Sequence, residues 1–117
     1  MEVWLWDRRF TAVWFNFPFM ELVKHTNLKT VEEAKEYLKS LGYKDIYLWS
    51  DAPNTHYDWH THNFDEVRLV IKGEILIGTE EGEFLLKAGD MMVVPKGTRH
   101  WAKVGPEGVS YLCGSKY

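Results

Sequence analysis

The chain has 117 residues, 14 lysine and arginine against 17 acidic residues, a formal net charge of −3 and a 45% hydrophobic share, which fits one globular domain and excludes a second core. The acidic balance and the scattered lysines exclude nucleic acid and an anionic membrane as expected partners. Cys113 is the single cysteine, which excludes an internal disulfide and a cysteine-built metal cage, so the cytoplasm is the expected compartment.

The first twenty residues are rich in aromatic side chains and predict a strand or a hairpin. Apolar residues run together at positions 3–6 and alternate from 13 to 19, which is typical of strands rather than of a helix. The uncharged stretch 10–20 is too short to span a bilayer. The aromatic side chains exceed what one small core needs, so we expect strand exchange or face packing in a homodimer. They are Trp4, Trp6, Phe10, Trp14, Phe15, Phe17 and Phe19.

One helix is predicted over residues 31–41. Thr30 and Glu33 form a capping box, and Gly42 follows as a C-terminal cap. The apolar residues at helical spacing are Val31, Ala34, Leu38 and Leu41. The opposite face carries glutamate and lysine, which is typical of an ordinary solvated surface.

From Ile46 onward, short apolar runs alternate with turn residues and show no further helical period. This spacing predicts an antiparallel sandwich or barrel. We therefore expect a mainly β single domain over residues 1–117, in which 1–45 form an N-terminal strand and helix extension and 46–117 form the β core.

Three histidines and one carboxylate fall in two short segments of the β core. His60 and His62 are two residues apart, so both imidazoles would point to one face of a strand. Glu66 opens the next predicted strand, and His100 follows a Pro-x-Gly turn and could supply a fourth ligand. Three imidazoles and a carboxylate suit one divalent transition metal, Fe, Mn, Ni, Cu or Zn, and leave positions open for water or substrate.

The two segments resemble the two motifs of the cupin family. His-x-His-x3-Glu-x6-Gly is matched by His60, His62, Glu66 and Gly73, and Gly-x5-Pro-x-Gly-x2-His is matched by Gly89, Pro95, Gly97 and His100. The resemblance implies a double-stranded β-helix, or jelly-roll barrel, with a metal held by His60, His62, Glu66 and His100 in its mouth. The glycines and the proline would be scaffold.

Two positions depart from the family pattern. Asn54 stands where the first motif usually opens with glycine, and Val104 stands where the second usually ends with asparagine. Asparagine tolerates left-handed turn geometry, so we expect the turn at Asn54 to survive. The motif strands also resemble, more weakly, those of acireductone dioxygenase, a metal-dependent cupin enzyme, although this chain lacks the terminal length of that family.

Arg68 shares strand parity with Glu66 and would point into the barrel. Its planar donor fork could act as a catalytic clamp for a carboxylate, enolate or phosphate group of the substrate. The alternatives are an internal ion pair with Glu66 or Asp58, and a side chain that reaches solvent at the rim.

Other candidates lie close to the motifs. We expect residues 51–57 to form a loop, which would leave His56 and Asp58 exposed; an early start of the strand would bring them to the cavity as proton-transferring or supporting groups. Trp101 should point away from the metal because it follows His100 on a strand. Further residues that could reach the pocket, or simply pack in the core, are Trp59, Tyr111 and Cys113. His25 is expected at the surface.

Two functions are consistent with these residues. One is a small metalloenzyme that chelates a small polar or anionic metabolite at the open metal positions and performs dioxygenase or isomerase chemistry. The other is a non-catalytic module that binds or senses a small ligand, with the metal serving affinity or structure. One barrel hosts many functions, so the fold does not decide between them.

Overall fold

The computed structural model describes residues 22–117. The expected N-terminal strand and the aromatic side chains predicted to pack in a homodimer lie outside the described residues. The described elements, in chain order, are β1 Val23–His25, α1 Val31–Ser40, β2 Lys44–Asp51, β3 His56–His60, β4 Asp65–Thr79, β5 Gly82–Lys87, β6 Asp90–Val94 and β7 His100–Lys116.

The helix α1 begins and ends close to the positions that its caps predict. The Thr30 hydroxyl accepts a hydrogen bond from the Glu33 backbone N–H at 3.2 Å, and Leu41 forms the C-terminal cap. Ala34 and Leu38 are fully buried against the outer face of the sheet. Residues 22–117 contain no helix that is long and apolar enough to cross a membrane.

The strands form one antiparallel sheet in the order β1-β6-β4-β7-β2, with β3 paired to β7 and β5 paired to β4. The long strands β4 and β7 have 15 and 17 residues, and their ladder has two register shifts near Gly73. Such irregularities bend both strands. One half of β7 pairs with β3 and the other half with β2, so the sheet curls around an inner core. The predicted jelly-roll barrel is confirmed.

The turns of the two motifs depend on left-handed backbone geometry. Gly73 and Gly97 have φ of 78° and 82°, and Asn54 has φ of 63°. Asparagine therefore replaces glycine at the first turn with the geometry expected of it. At Gly73 the backbone of β4 also lies against that of Gly108, because a Cβ built there would come within 2.1 Å of the Gly108 carbonyl oxygen.

Gly73 and Gly97 form a matched pair for testing this packing, since a Cβ at Gly97 would meet nothing within 4 Å in the described residues. We expect Gly97→Ala to lower the free energy of unfolding by about 1 kcal/mol through backbone strain alone. Gly73→Ala should cost clearly more, because β4 and β7 must separate to admit the methyl group. Urea denaturation measures both losses, and equal losses would contradict this packing.

Candidate metal centre

Three histidine side chains meet at one end of the barrel. His60 closes β3, His62 follows it in the connection to β4, and His100 opens β7. Their ring centroids are 4.2 Å apart for His60 and His100, 5.0 Å for His60 and His62, and 5.1 Å for His62 and His100. One ring nitrogen from each residue lies within 4.8 Å of the others. This separation suits a single shared cation.

Backbone carbonyls orient two of these rings. The Nδ1 atom of His60 lies 2.6 Å from the Asp58 carbonyl oxygen, and that of His100 lies 2.9 Å from the Thr98 carbonyl oxygen. A carbonyl oxygen only accepts, so each Nδ1 carries the hydrogen and the lone pair of the neutral ring is on Nε2. Metal-binding histidines are commonly oriented by such a bond.

Two of the imidazole nitrogens are suited to bind a metal ion. The Nε2 atoms of His62 and His100 are buried and have no hydrogen-bond partner within residues 22–117. A buried nitrogen without a partner is costly, and coordination of a metal would remove that cost. The cluster therefore fits one divalent transition metal.

Burial favours the neutral form of the His62 and His100 imidazoles, which is the form that binds a metal. The pKa of His100 is lowered mainly by desolvation, and His60, His62 and Arg68 lower it further, against a bond to Thr98 that raises it. The pKa of His62 is also lowered mainly by desolvation, although the Glu66 carboxylate opposes this.

Glu66 and Arg68 lie beside the three rings on β4. The Glu66 Oε1 atom is 3.5 Å from His62 Nε2 and accepts a hydrogen bond from Arg68 Nη2 at 3.1 Å. Both side chains are buried, so the internal ion pair that the sequence left as an alternative is present. Desolvation lowers the pKa of Arg68, but the Glu66 carboxylate, together with smaller contributions from Tyr111 and Cys113, more than offsets it, so the pKa is raised. The Nε atom of Arg68 has no partner in the described part of the chain.

A cavity of about 270 Å³ opens next to this cluster. Tyr111 and Cys113 line it, as the sequence allowed. Three further aromatic residues line the cavity and were not predicted from the motifs: Tyr47, Trp49 and Tyr57. Tyr47 and Trp49 alternate on β2, and this alternation is the signal that could have placed them on one face.

The expected loop over residues 51–57 is shorter in the structure. Asp51 ends β2, residues 52–55 form the connection, and β3 begins at His56. The register of β3 shifts between Tyr57 and His60, which marks a bulge. The extra residue puts Tyr57, rather than His56 or Asp58, on the same face as His60. His56 and Asp58 are therefore exposed.

The remaining candidates lie away from the cavity. Trp59 is exposed, and Arg99 lies over its ring at 4.7 Å. Trp101 packs on Gly78 of β4, as its strand position predicts. His25 is exposed and lies 2.5 Å from Asp90. None of these three lines the cavity.

The sequence model of the cupin domain family matches residues 47–113. This range covers more than half of the chain and includes both motifs, so the protein belongs to the cupin family.

The relatives with curated records match a smaller part of the chain. An acireductone dioxygenase from Marinobacter nauticus is 43% identical over 54 residues, which are 43% of this chain and 29% of the relative. The uncharacterized protein YdbB of Bacillus subtilis is 48% identical over 46 residues, which are 38% of this chain and 41% of that protein. The chain thus spans less than a third of the length of this dioxygenase and less than half of YdbB.

Solved structures share the fold. A cupin-2 domain protein from Shewanella frigidimarina has 27% identity and a TM-score of 0.54, over 62% of this chain and 69% of the other. A DUF861 family protein from Thermotoga maritima has 22% identity and a TM-score of 0.57, over 80% of this chain and 97% of the other. At this identity the second likeness concerns the fold alone.

The lowered histidine pKa values predict how metal-free protein responds to acid. Unfolded imidazoles take up protons near their ordinary pKa of 6.5, whereas folded His62 and His100 resist protonation. The unfolded state then binds more protons, so the free energy of unfolding should fall as the pH drops from 7 toward 5. Urea denaturation in the presence of a chelator measures this slope.

In the double variant His62→Gln/His100→Gln, the free energy of unfolding should depend less steeply on pH. His25→Gln changes an exposed histidine outside the cluster and should retain the wild-type dependence. An unchanged slope in the double variant would contradict the prediction.

Proposed function

We propose that the protein is a mononuclear metal-dependent enzyme that acts on a small anionic metabolite. The observation that carries the proposal is the convergence of three imidazoles, two with buried Nε2 atoms that lack partners in residues 22–117, beside a buried arginine. A purely structural role would leave these costly groups without a purpose.

The proposed ligands are His60, His62 and His100, with Glu66 as the fourth. Glu66 lies 3.5 Å from His62 Nε2, and a carboxylate adds the negative charge that a divalent cation favours. The ligand set leaves coordination positions open for a substrate. A bound metal would act there as a Lewis acid or, if it is iron, would supply oxygen chemistry.

Arg68 is the residue proposed to hold the anionic group of the substrate. Its guanidinium is fixed between the Glu66 carboxylate, at 3.1 Å, and the Tyr111 ring, whose centroid is 4.9 Å from Cζ. Its Nε donor has no acceptor within the described residues. Because this donor is buried and already oriented, it can align a carboxylate or enolate of the substrate without first ordering the arginine side chain.

The relatives make oxygen-dependent cleavage of an enediol the first reaction to test. The likeness to acireductone dioxygenase covers 43% of this chain, and the chain spans under a third of that relative's length. The activity itself is therefore a proposal for this chain, with isomerase chemistry as the other family-typical reaction. The competing function, a non-catalytic binding module, differs in giving ligand binding without turnover.

Metal content tests the first part of the proposal. Protein purified without added metal should hold about one transition-metal ion per chain by elemental analysis. His100→Ala should lose most of it, because the nitrogen of a fully buried ligand disappears. His56→Ala is the matched control, since it removes an exposed histidine of β3 and should keep the metal. A folded wild type that binds no metal after reconstitution would defeat the proposal.

Turnover tests the second part. The iron-loaded protein should consume oxygen with one member of a panel of enediols, catechols, thiols and sugars. Arg68→Met should lower kcat/KM by about a hundredfold, the value of a charged hydrogen bond, without loss of metal. Arg68→Lys keeps the positive charge that pairs with Glu66 but loses the planar guanidinium. Its kcat/KM should lie between those of the wild type and Arg68→Met. Ligand-dependent thermal stabilisation without turnover under iron, manganese or nickel would favour the binding module instead.

A further inference from the structure

The cavity has two chemically different sides. The polar side is formed by His60, His62, Glu66 and Arg68. The rest of the lining is mainly four aromatic residues, which we call the aromatic wall: Tyr47, Trp49, Tyr57 and Tyr111. Apart from Tyr111, whose ring lies against Arg68, the aromatic wall has no role in the proposed metal and anion sites.

The strand register sets the wall directly beside Arg68. Trp49 lies opposite Tyr111 and Tyr47 opposite Cys113 in the β2–β7 ladder, while Arg68 lies opposite Cys113 in the β4–β7 ladder. Side chains directly opposite one another on the same face are in contact distance. A ligand whose anionic group reaches Arg68 therefore has its remaining atoms against the wall.

The carboxylate of Asp51 fixes the orientation of this wall. It accepts hydrogen bonds from the Tyr57 hydroxyl at 2.6 Å, from Trp49 Nε1 at 2.9 Å and from the Tyr111 hydroxyl at 3.3 Å. Asp51 itself does not line the cavity. The polar ends of Trp49, Tyr57 and Tyr111 are thereby engaged by Asp51, so these three residues offer a ligand ring surface rather than free donors.

Part of this ring surface is open to solvent. Tyr47 and Trp49 are 52% and 48% exposed, although both line a cavity. Covering them with a flat apolar group would remove apolar area from water. A cationic ligand is disfavoured, because the Arg68 guanidinium already lies over Tyr111 and would repel a second positive charge.

We infer that the substrate is a small aromatic acid, in which a planar ring lies on the aromatic wall while an anionic group reaches Arg68 and the metal. The inference rests on the proposed function, because it uses the same metal and arginine. It makes Trp49 and Tyr47 the residues that determine specificity.

Mandelate and lactate are suitable probes because they present the same hydroxyl and carboxylate groups and differ in a phenyl against a methyl group. Isothermal titration of the zinc-loaded protein avoids turnover, since zinc has no redox chemistry. Mandelate should bind about tenfold more tightly or better, the value of one well-packed aromatic contact.

Trp49→Ala should reduce this preference to about twofold, and Trp49→Phe, which keeps a ring, should retain most of it. Leu48→Ala is the matched control. Leu48 is the neighbouring residue of β2 and is 49% exposed, but it does not line the cavity, so the preference should remain.

The results of these titrations distinguish a failure of the aromatic-acid inference from a failure of the proposed metal-dependent function. If mandelate and lactate bind with equal affinity, or if Trp49→Ala leaves the preference for mandelate unchanged, the aromatic wall does not determine specificity. Either result is compatible with the proposed anion site. Failure of both acids to bind the metal-loaded protein would defeat the proposed anion site, and the inference with it.

Discussion

The pairing of β3 with the first residues of β7 is the constraint on which the site depends. It places His60 directly opposite His100, and His62 follows in the turn toward β4. The strand ends also supply the carbonyls of Asp58 and Thr98 that orient two of the rings. A shift of this register by one residue would turn His100 away from the cavity, because successive side chains of a strand face opposite sides. Backbone pairing thus controls the ligand geometry.

Charge around the cluster follows from the same topology. Glu66 and Arg68 share one face of β4, and their pairing at 3.1 Å lets both charges stay buried. Breaking such a pair by removing one partner costs about 3–5 kcal/mol. A divalent cation on the imidazoles would, together with Arg68, outweigh the single negative charge of Glu66. The loaded cavity would then be electropositive on one side and aromatic on the other, which favours an anion with an apolar body.

Local sequence predicts the parts of this protein that depend on local chemistry. Thr30, the apolar repeat and Gly42 predict the helix, and Gly42 has the positive φ of a residue that follows a helix end. Asn54 adopts the left-handed turn that its side chain tolerates. The histidines come together as the motif spacing implies. Spacing could not predict the β3 bulge. One extra residue reverses the parity by which an early start of the strand would have brought His56 and Asp58 to the cavity. Spacing also missed Tyr47 and Trp49, because their place beside Arg68 depends on how β2 and β4 each pair with β7, far along the chain.

We propose that three imidazoles of this chain hold one metal ion. X-ray absorption spectroscopy of the metal-loaded protein tests it most directly, because imidazole rings give outer-shell scattering that reports how many of them bind the ion. We expect about three imidazole ligands per metal at roughly 2.1 Å, with oxygen atoms in the remaining positions. A metal bound by one imidazole or none would contradict it.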